Sequence, residues 1–123
     1  ADSQLRVKLL SHFRDMTAAS GDVAYTGYGF QPKAIIVLAV CIAGSTSITV
    51  GFGDVNLVEM CISSITGASN YYFTELLYLV ETAGSAYQLA VLKTLDADGF
   101  TLTWTKVGTP SAGNGGLIVL ALG

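Results

Sequence analysis

The chain predicts an all-β fold, an antiparallel β-sandwich of jelly-roll-like type with about nine short strands. Three observations lead there. The first is the run Ala34–Ala43, in which every side chain is apolar and Ile35, Ile36, Val37, Val40 and Ile42 are β-branched. That composition favours a pleated strand over a helix. The second is alternation elsewhere, clearest where Phe100, Leu102 and Trp104 interleave with Thr101, Thr103 and Thr105. The third is a series of closely spaced glycine-rich turns with no secure helix between them. A length of 123 residues fits one domain that buries a core without metal or disulfides. The expected division is a flexible N-terminal arm, 1–4, followed by a single sandwich domain, 5–123.

In chain order, Leu5–Arg14 reads as a first strand with Leu5, Val7 and Leu9 on one face and Arg6 and Lys8 on a wet one. Asp22–Tyr28 follows, with Val23 and Tyr25 sharing a face and Gly27 and Gly29 bracketing a bend. Pro32 fixes its own φ and pushes Gln31 toward an extended conformation, so the pair bends the chain into a strand. That strand, Ala34–Ala43, lacks alternation and must be covered on both faces. The rest of the chain is expected to wrap it, with Ile36 and Leu38 as core anchors. Ser47–Gly53 carries Ile48, Val50 and Phe52 at period two, as a half-buried strand does. Asn56–Ile65 sets Leu57, Glu59, Cys61 and Ser63 opposite Val58, Met60, Ile62 and Ser64.

Thr66–Asn70 reads as a loop. Asn70–Ala83 is ambiguous. Phe73, Leu76, Leu77 and Val80 have helical spacing, whereas Tyr71, Tyr72, Thr74 and Tyr78 favour strand. The reading adopted is a hairpin with Tyr87–Leu95 across Ala83-Gly84-Ser85. Asp98-Gly99 is a sharp turn. It leads to a strand whose inward residues, Phe100, Leu102 and Trp104, are the remaining core anchors. Gly108–Gly116 reads as a loop, and Leu117–Leu122 closes the chain as an apolar strand.

Charged residues make up 12% of the chain, about half the usual share, and the mean hydropathy is +0.56. So few charges predict a surface covered by other copies or by a partner. A net charge of −3 offers no field to a nucleic-acid backbone. The longest apolar run, Ala34–Ala43, is too short to cross a bilayer as a helix, and no hydrophobic leader is visible at the N-terminus. No nucleic-acid or membrane partner is expected.

Candidate chemistry is sparse. His12 is the sole histidine, and Cys41 and Cys61 sit among apolar neighbours as buried thiols do. A nucleophile and base built from them is therefore disfavoured, and a zinc site lacks ligands unless carboxylates supply them. Two of Glu59, Glu75 and Glu81 across a groove would suit glycoside hydrolysis. Charges that guard strand edges are the simpler account. Asp96-x-Asp98-Gly99 begins like a calcium loop, but threonines follow where ligands should be. Gly51-Phe-Gly53 lacks the third glycine and the helix of a dinucleotide fingerprint. The expectation is no catalytic residue, no metal, no cofactor and no enzymatic activity. Tyr25, Tyr28, Tyr71 and Tyr72 lie beside turns and are the candidate interface or ligand contacts, since tyrosine buries area and keeps a polar tip.

The series Thr26-Gly-Tyr-Gly-Phe-Gln-Pro-Lys-Ala-Ile-Ile, Val50-Gly-Phe, Leu95-Asp-Ala-Asp-Gly-Phe-Thr-Leu-Thr-Trp-Thr and the terminal Leu120-Ala-Leu-Gly resembles a group of tailed-bacteriophage virion structural proteins. In that group GFxPKA opens a buried strand, DGFTLxWT forms a late one and the chain often ends near LALG. The resemblance leaves out Gly53 to about Ser85 and carries over no catalytic residue. It implies a β-sandwich subunit of a virion, assembled in the host bacterial cytoplasm. The first expectation is a capsid decoration (cement) protein. Such a protein binds the major capsid protein as a homo-oligomer, for instance a trimer. The alternative is a tail or fibre-tip module that binds host-surface carbohydrate through Tyr71, Tyr72 and the Gly108–Gly116 loop.

Overall fold

Alternating, β-branched segments joined by tight turns form strands here throughout. The computed structural model describes residues 4–41, 47–65, 68–72, 74–82, 85–111 and 113–123, with 65 and 68–72 described through their backbone alone. The strands are β1 (Val7–Asp15), β2 (Gly21–Tyr25), β3 (Ala34–Cys41), β4 (Ser47–Asp54), β5 (Glu59–Ile65), β6 (Ala68–Tyr72), β7 (Leu77–Thr82), β8 (Ala86–Asp96), β9 (Gly99–Val107) and β10 (Asn114–Leu122). They make two antiparallel sheets, one ordered β1-β10-β3-β4-β5-β6 and the other β2-β9-β8-β7. The expected β-sandwich is the fold, and no helix occurs among the described residues. β1 beside β10 and β2 beside β9 give the nested terminal pairing of a jelly roll. β3 to β6 and β7 to β9 are simple meanders.

Among the described residues ten strands stand where about nine are expected, because the Asn70–Ala83 segment divides. Its first part belongs to β6, on the six-stranded sheet. Its second part is β7, which pairs with β8 as the expected hairpin, Leu77 opposite Ala90. The loop read at Thr66–Asn70 is corrected in its second half, since Ala68–Asn70 pair with Ser63–Ile65. Residues 66–67 and Ala83-Gly84 lie outside the described residues, as do residues 1–3 of the expected arm.

The core fills the space between the sheets. Phe100, Leu102 and Trp104 are at most 1% exposed, as anchors should be. Ile36 and Leu38 are not anchors. Ile35, Val37, Ala39 and Cys41 of β3 point inward, so period two sends Ile36 and Leu38 out, and Leu38 is 42% exposed. The apolar strand is thus covered by the second sheet on one face only.

A fuller inversion is seen in β1, β4 and β5 of the six-stranded sheet. In β1 the inward residues are Leu10, His12 and Arg14, while Val7, Leu9 and Phe13 face out. In β4, Ser47, Thr49, Gly51 and Gly53 face in and Ile48, Val50 and Phe52 face out. In β5, Glu59, Cys61 and Ser63 face in and Met60 and Ile62 out. The residues that share each face are those expected, but the apolar sets point away from the core.

Most inward polar groups are satisfied by neighbours across the sandwich, Ser63 Oγ being the exception among the described residues. Arg14 lies 4.7 Å over the Trp104 ring and donates from Nε to Gln88 Oε1 at 2.9 Å and from Nη2 to the Ala19 carbonyl at 2.9 Å. Thr49 Oγ1 donates to the Tyr78 carbonyl at 2.5 Å, and the Val80 N–H donates to Ser47 Oγ at 3.1 Å. The last two bonds tie β7 directly onto β4. Only small residues on β4 leave room for a backbone this close.

Candidate functional site

The outer face of the six-stranded sheet follows from register. Reading across β1, β10, β3, β4 and β5, one row is Leu9, Leu120, Ile36, Phe52 and Met60. The next row is Ser11, Ile118, Leu38, Val50 and Ile62, and the next Phe13, Gly116, Val40, Ile48 and Ser64. In these three rows only Ser11, Gly116 and Ser64 lack an apolar side chain, and no charge appears. Phe13 is 74% exposed, Leu9 59%, Ile62 57% and Phe52 48%.

Two shallow depressions mark this face. One, of about 420 Å³, is bordered by Ala34, Ile36, Phe52, Val58, Met60 and Leu122. The other, of about 200 Å³, lies among Ser11, Phe13, Leu38, Val40, Gly116 and Ile118. The outer face of the four-stranded sheet is different in kind. There Lys93 pairs with Asp22, Asp22 also accepts from Thr103 Oγ1, and Asp96 accepts from Thr94 and Thr101. One face is built for water and the other is not.

The other candidate residues resolve into structure. Tyr25 and Tyr28 are corrected from contacts to core: they are 8% and 3% exposed. Tyr25 stacks on Phe100 at 5.2 Å and its hydroxyl accepts from Trp104 Nε1 at 3.0 Å. Tyr28 packs against Phe100 and its hydroxyl hydrogen-bonds His12 Nε2 at 2.7 Å. The bend that seemed to present them folds inward, because Asp98 grips it. Its carboxylate accepts the Gly27 N–H at 3.0 Å and the Gly29 N–H at 2.6 Å, and its carbonyl accepts the Tyr28 N–H. These amide donors, Gly29 first, hold the Asp98 carboxyl below its ordinary range. The calcium-like Asp96-x-Asp98-Gly99 is thus a turn that clamps β2 to the β8–β9 hairpin. The side chains of Tyr71 and Tyr72 lie outside the described residues.

His12 is half-buried, 4.8 Å from the Tyr25 ring, and burial lowers its pKa and keeps the imidazole neutral. Cys41 and Cys61 are buried and not joined to each other by a disulfide. Burial, with smaller contributions from Glu75 and Glu59, pushes the Cys61 thiol up to about 12, which suits packing and not nucleophilic attack. Glu81 accepts from Ser111 and so ties down the Gly108–Gly116 loop, whose end, Asn114–Gly116, is already strand β10. No cluster of three metal-ligating side chains occurs among the described residues.

Glu59 is the one buried carboxylate among the described residues. It faces inward at 7% exposure and accepts the Leu92 N–H at 3.0 Å, a donor next to the bulge in β8. Burial, aided by Glu75, raises its pKa from 4.5 to about 7. The folded state thus binds this proton more tightly than the unfolded chain does. The linked stability is complete below about pH 4.5 and is lost as pH rises through about 7. Glu59→Gln keeps the acceptor for Leu92 and removes the charge. It is expected to stabilise the protein at pH 8 by about 1 kcal/mol, a fraction of the full linkage value because water partly relaxes the charge. At pH 4 no gain is expected. Thermal melts across this range check it, and equal effects at both pH values would contradict it.

No family model, curated protein or solved structure matches this chain.

Proposed function

We propose that the chain is a structural subunit of a bacteriophage particle, a capsid decoration protein whose role is to be bound and not to turn over a substrate. One observation carries the reading. The outward residues of β1, β3, β4, β5 and β10 form an apolar open sheet face, and on β4 and β5 the apolar residues face out while Ser47, Thr49, Gly51, Gly53, Glu59 and Ser63 are spent on the interior. A sequence selected only to fold alone would gain stability from the opposite arrangement.

The five strands whose outer side chains are described span about 19 Å across and about 26 Å along, using ordinary strand spacing and rise. That is roughly 500 Å² of plane, and the accessible area is larger because side chains stand up from it. A solitary soluble protein rarely exposes more than about 300–600 Å² of contiguous apolar surface. Covering this face in an assembly stabilises the assembled state selectively, as any ligand of a folded form does. The low charge content and the phage-like motifs at both ends of the chain point the same way.

Copy number is the direct test. Quantitative mass spectrometry of purified virions should find hundreds of copies per particle, in stoichiometric proportion to the major capsid protein. A few to a few tens of copies would overturn decoration in favour of a tail position.

A further inference from the structure

The apolar face needs an occupant, and the observations favour one. We propose that a second copy of this chain covers it, the two six-stranded sheets packing face to face about a twofold axis lying between them. This rests on the reading of that face as an interface, and adds the identity of the partner.

Area supports it first. Two faces of roughly 500 Å² of plane together reach the ~1,000 Å² that a specific interface should clear, and the accessible area is larger because side chains stand up from the plane. A single flat face is also fully covered by one facing copy at the usual sheet separation of about 10 Å. Three copies around an axis would leave part of each face wet.

Chemistry supports it second. Homodimer interfaces are the most apolar class, whereas non-obligate partners meet over surfaces about as polar as the rest of the protein. The three central rows carry no charge of either sign, so pairing like with like brings no repulsion, and an isologous contact requires that self-compatibility. Charges appear only at the two ends of the face, where Asp15 and Asp54 stand. Both are engaged within the chain: Asp15 accepts from the Thr17 N–H and hydroxyl, and Asp54 accepts the Asn56 and Val58 N–H groups. The three central rows hold neither the cationic cluster that an anionic lipid surface recruits nor free carboxylates with which to recognise a basic partner.

Sedimentation equilibrium of the purified 123-residue chain tests the pair. The expected species has twice the 12.8 kDa chain mass. Because the contact is apolar, it should persist unchanged in 1 M NaCl, where a charge-held contact would weaken. The double variant Leu38→Lys/Val50→Lys places two cations at the centre of the face without touching the interior. It should be monomeric with a retained cooperative melt. Val50→Thr is nearly isosteric and keeps strand propensity, and should weaken the pair measurably while leaving it detectable.

A wild-type chain that is monomeric at about 100 μM would overturn the proposal, since a contact of this size should hold well below that concentration. So would a trimer, or a double variant that remains a dimer. Co-sedimentation with phage heads separates the two levels of the argument. A monomer that binds heads through this face, and loses binding in the double variant, sinks the pair and keeps the decoration role. A dimer that ignores heads keeps the pair and sinks that role.

Discussion

Trp104→Ala is expected to cost about 3–5 kcal/mol, the range for truncating a buried large aromatic. Trp104 is 1% exposed and its ring is held on two sides by polar groups. Its Nε1 donates to the Tyr25 hydroxyl, and the Arg14 guanidinium lies over its face. Alanine leaves a cavity and also removes the aromatic surface against which a buried cation rests. Arg14 would keep its bonds to Gln88 and Ala19 but would face a void. Domains of this size are stable by only about 5–15 kcal/mol, so the loss takes a large share. Urea denaturation checks it. Trp104→Phe, which keeps a ring for Arg14 to rest on but loses the hydrogen bond and part of the indole volume, should cost clearly less. A Trp104→Ala penalty below about 1 kcal/mol would mean that the two sheets do not close on this side chain.

Gly51→Ala is expected to be about as damaging, for the opposite reason. A Cβ at position 51 would lie 1.8 Å from the Leu76 carbonyl oxygen, 2.9 Å from its carbon and 3.3 Å from the Cys61 Cβ. The obstacle is backbone, and that backbone is pinned: the Leu76 N–H donates to the Ala90 carbonyl at 2.9 Å. Relief therefore requires moving β7 off β4, at the expense of the Thr49 and Ser47 bonds that join them. A loss of about 3 kcal/mol or more is expected, at the upper end for overpacking. Gly116→Ala is the control. It sits on the open face, where an added Cβ meets nothing within 4 Å, and a change within about 0.5 kcal/mol is expected. Similar melting temperatures for the two variants would show that the sheets do not approach at Gly51.

Gly51 also shows why residues alone do not reveal the open apolar face. Alternation in β4 places Ile48, Val50 and Phe52 together, and the usual inference sends such a set inward. The crossing of β7 forbids it, because the gap there admits only Gly51, Gly53, Ser47 and Thr49. The inversion in β1 has another cause. Arg14 is acceptable inside because Trp104, Gln88 and Ala19, all remote in sequence except Ala19, converge on it. Tyr25 and Tyr28 turn inward, against expectation, for a related reason. Two glycines around a tyrosine signal a bend, but the Asp98 carboxylate, far along the chain, decides that the bend folds in.

Local pattern alone determined that this chain is all-β, where most strands run, which residues of each strand share a side, and that Phe100, Leu102 and Trp104 belong to the interior. Those properties depend on backbone preference and on a two-residue repeat, both written in short stretches of chain. Only the tertiary structure decided which side of the six-stranded sheet meets its neighbour. That choice depends on how near β7 comes to β4, and on which distant groups satisfy Arg14 and Glu59, and a two-residue repeat is identical whichever way it faces.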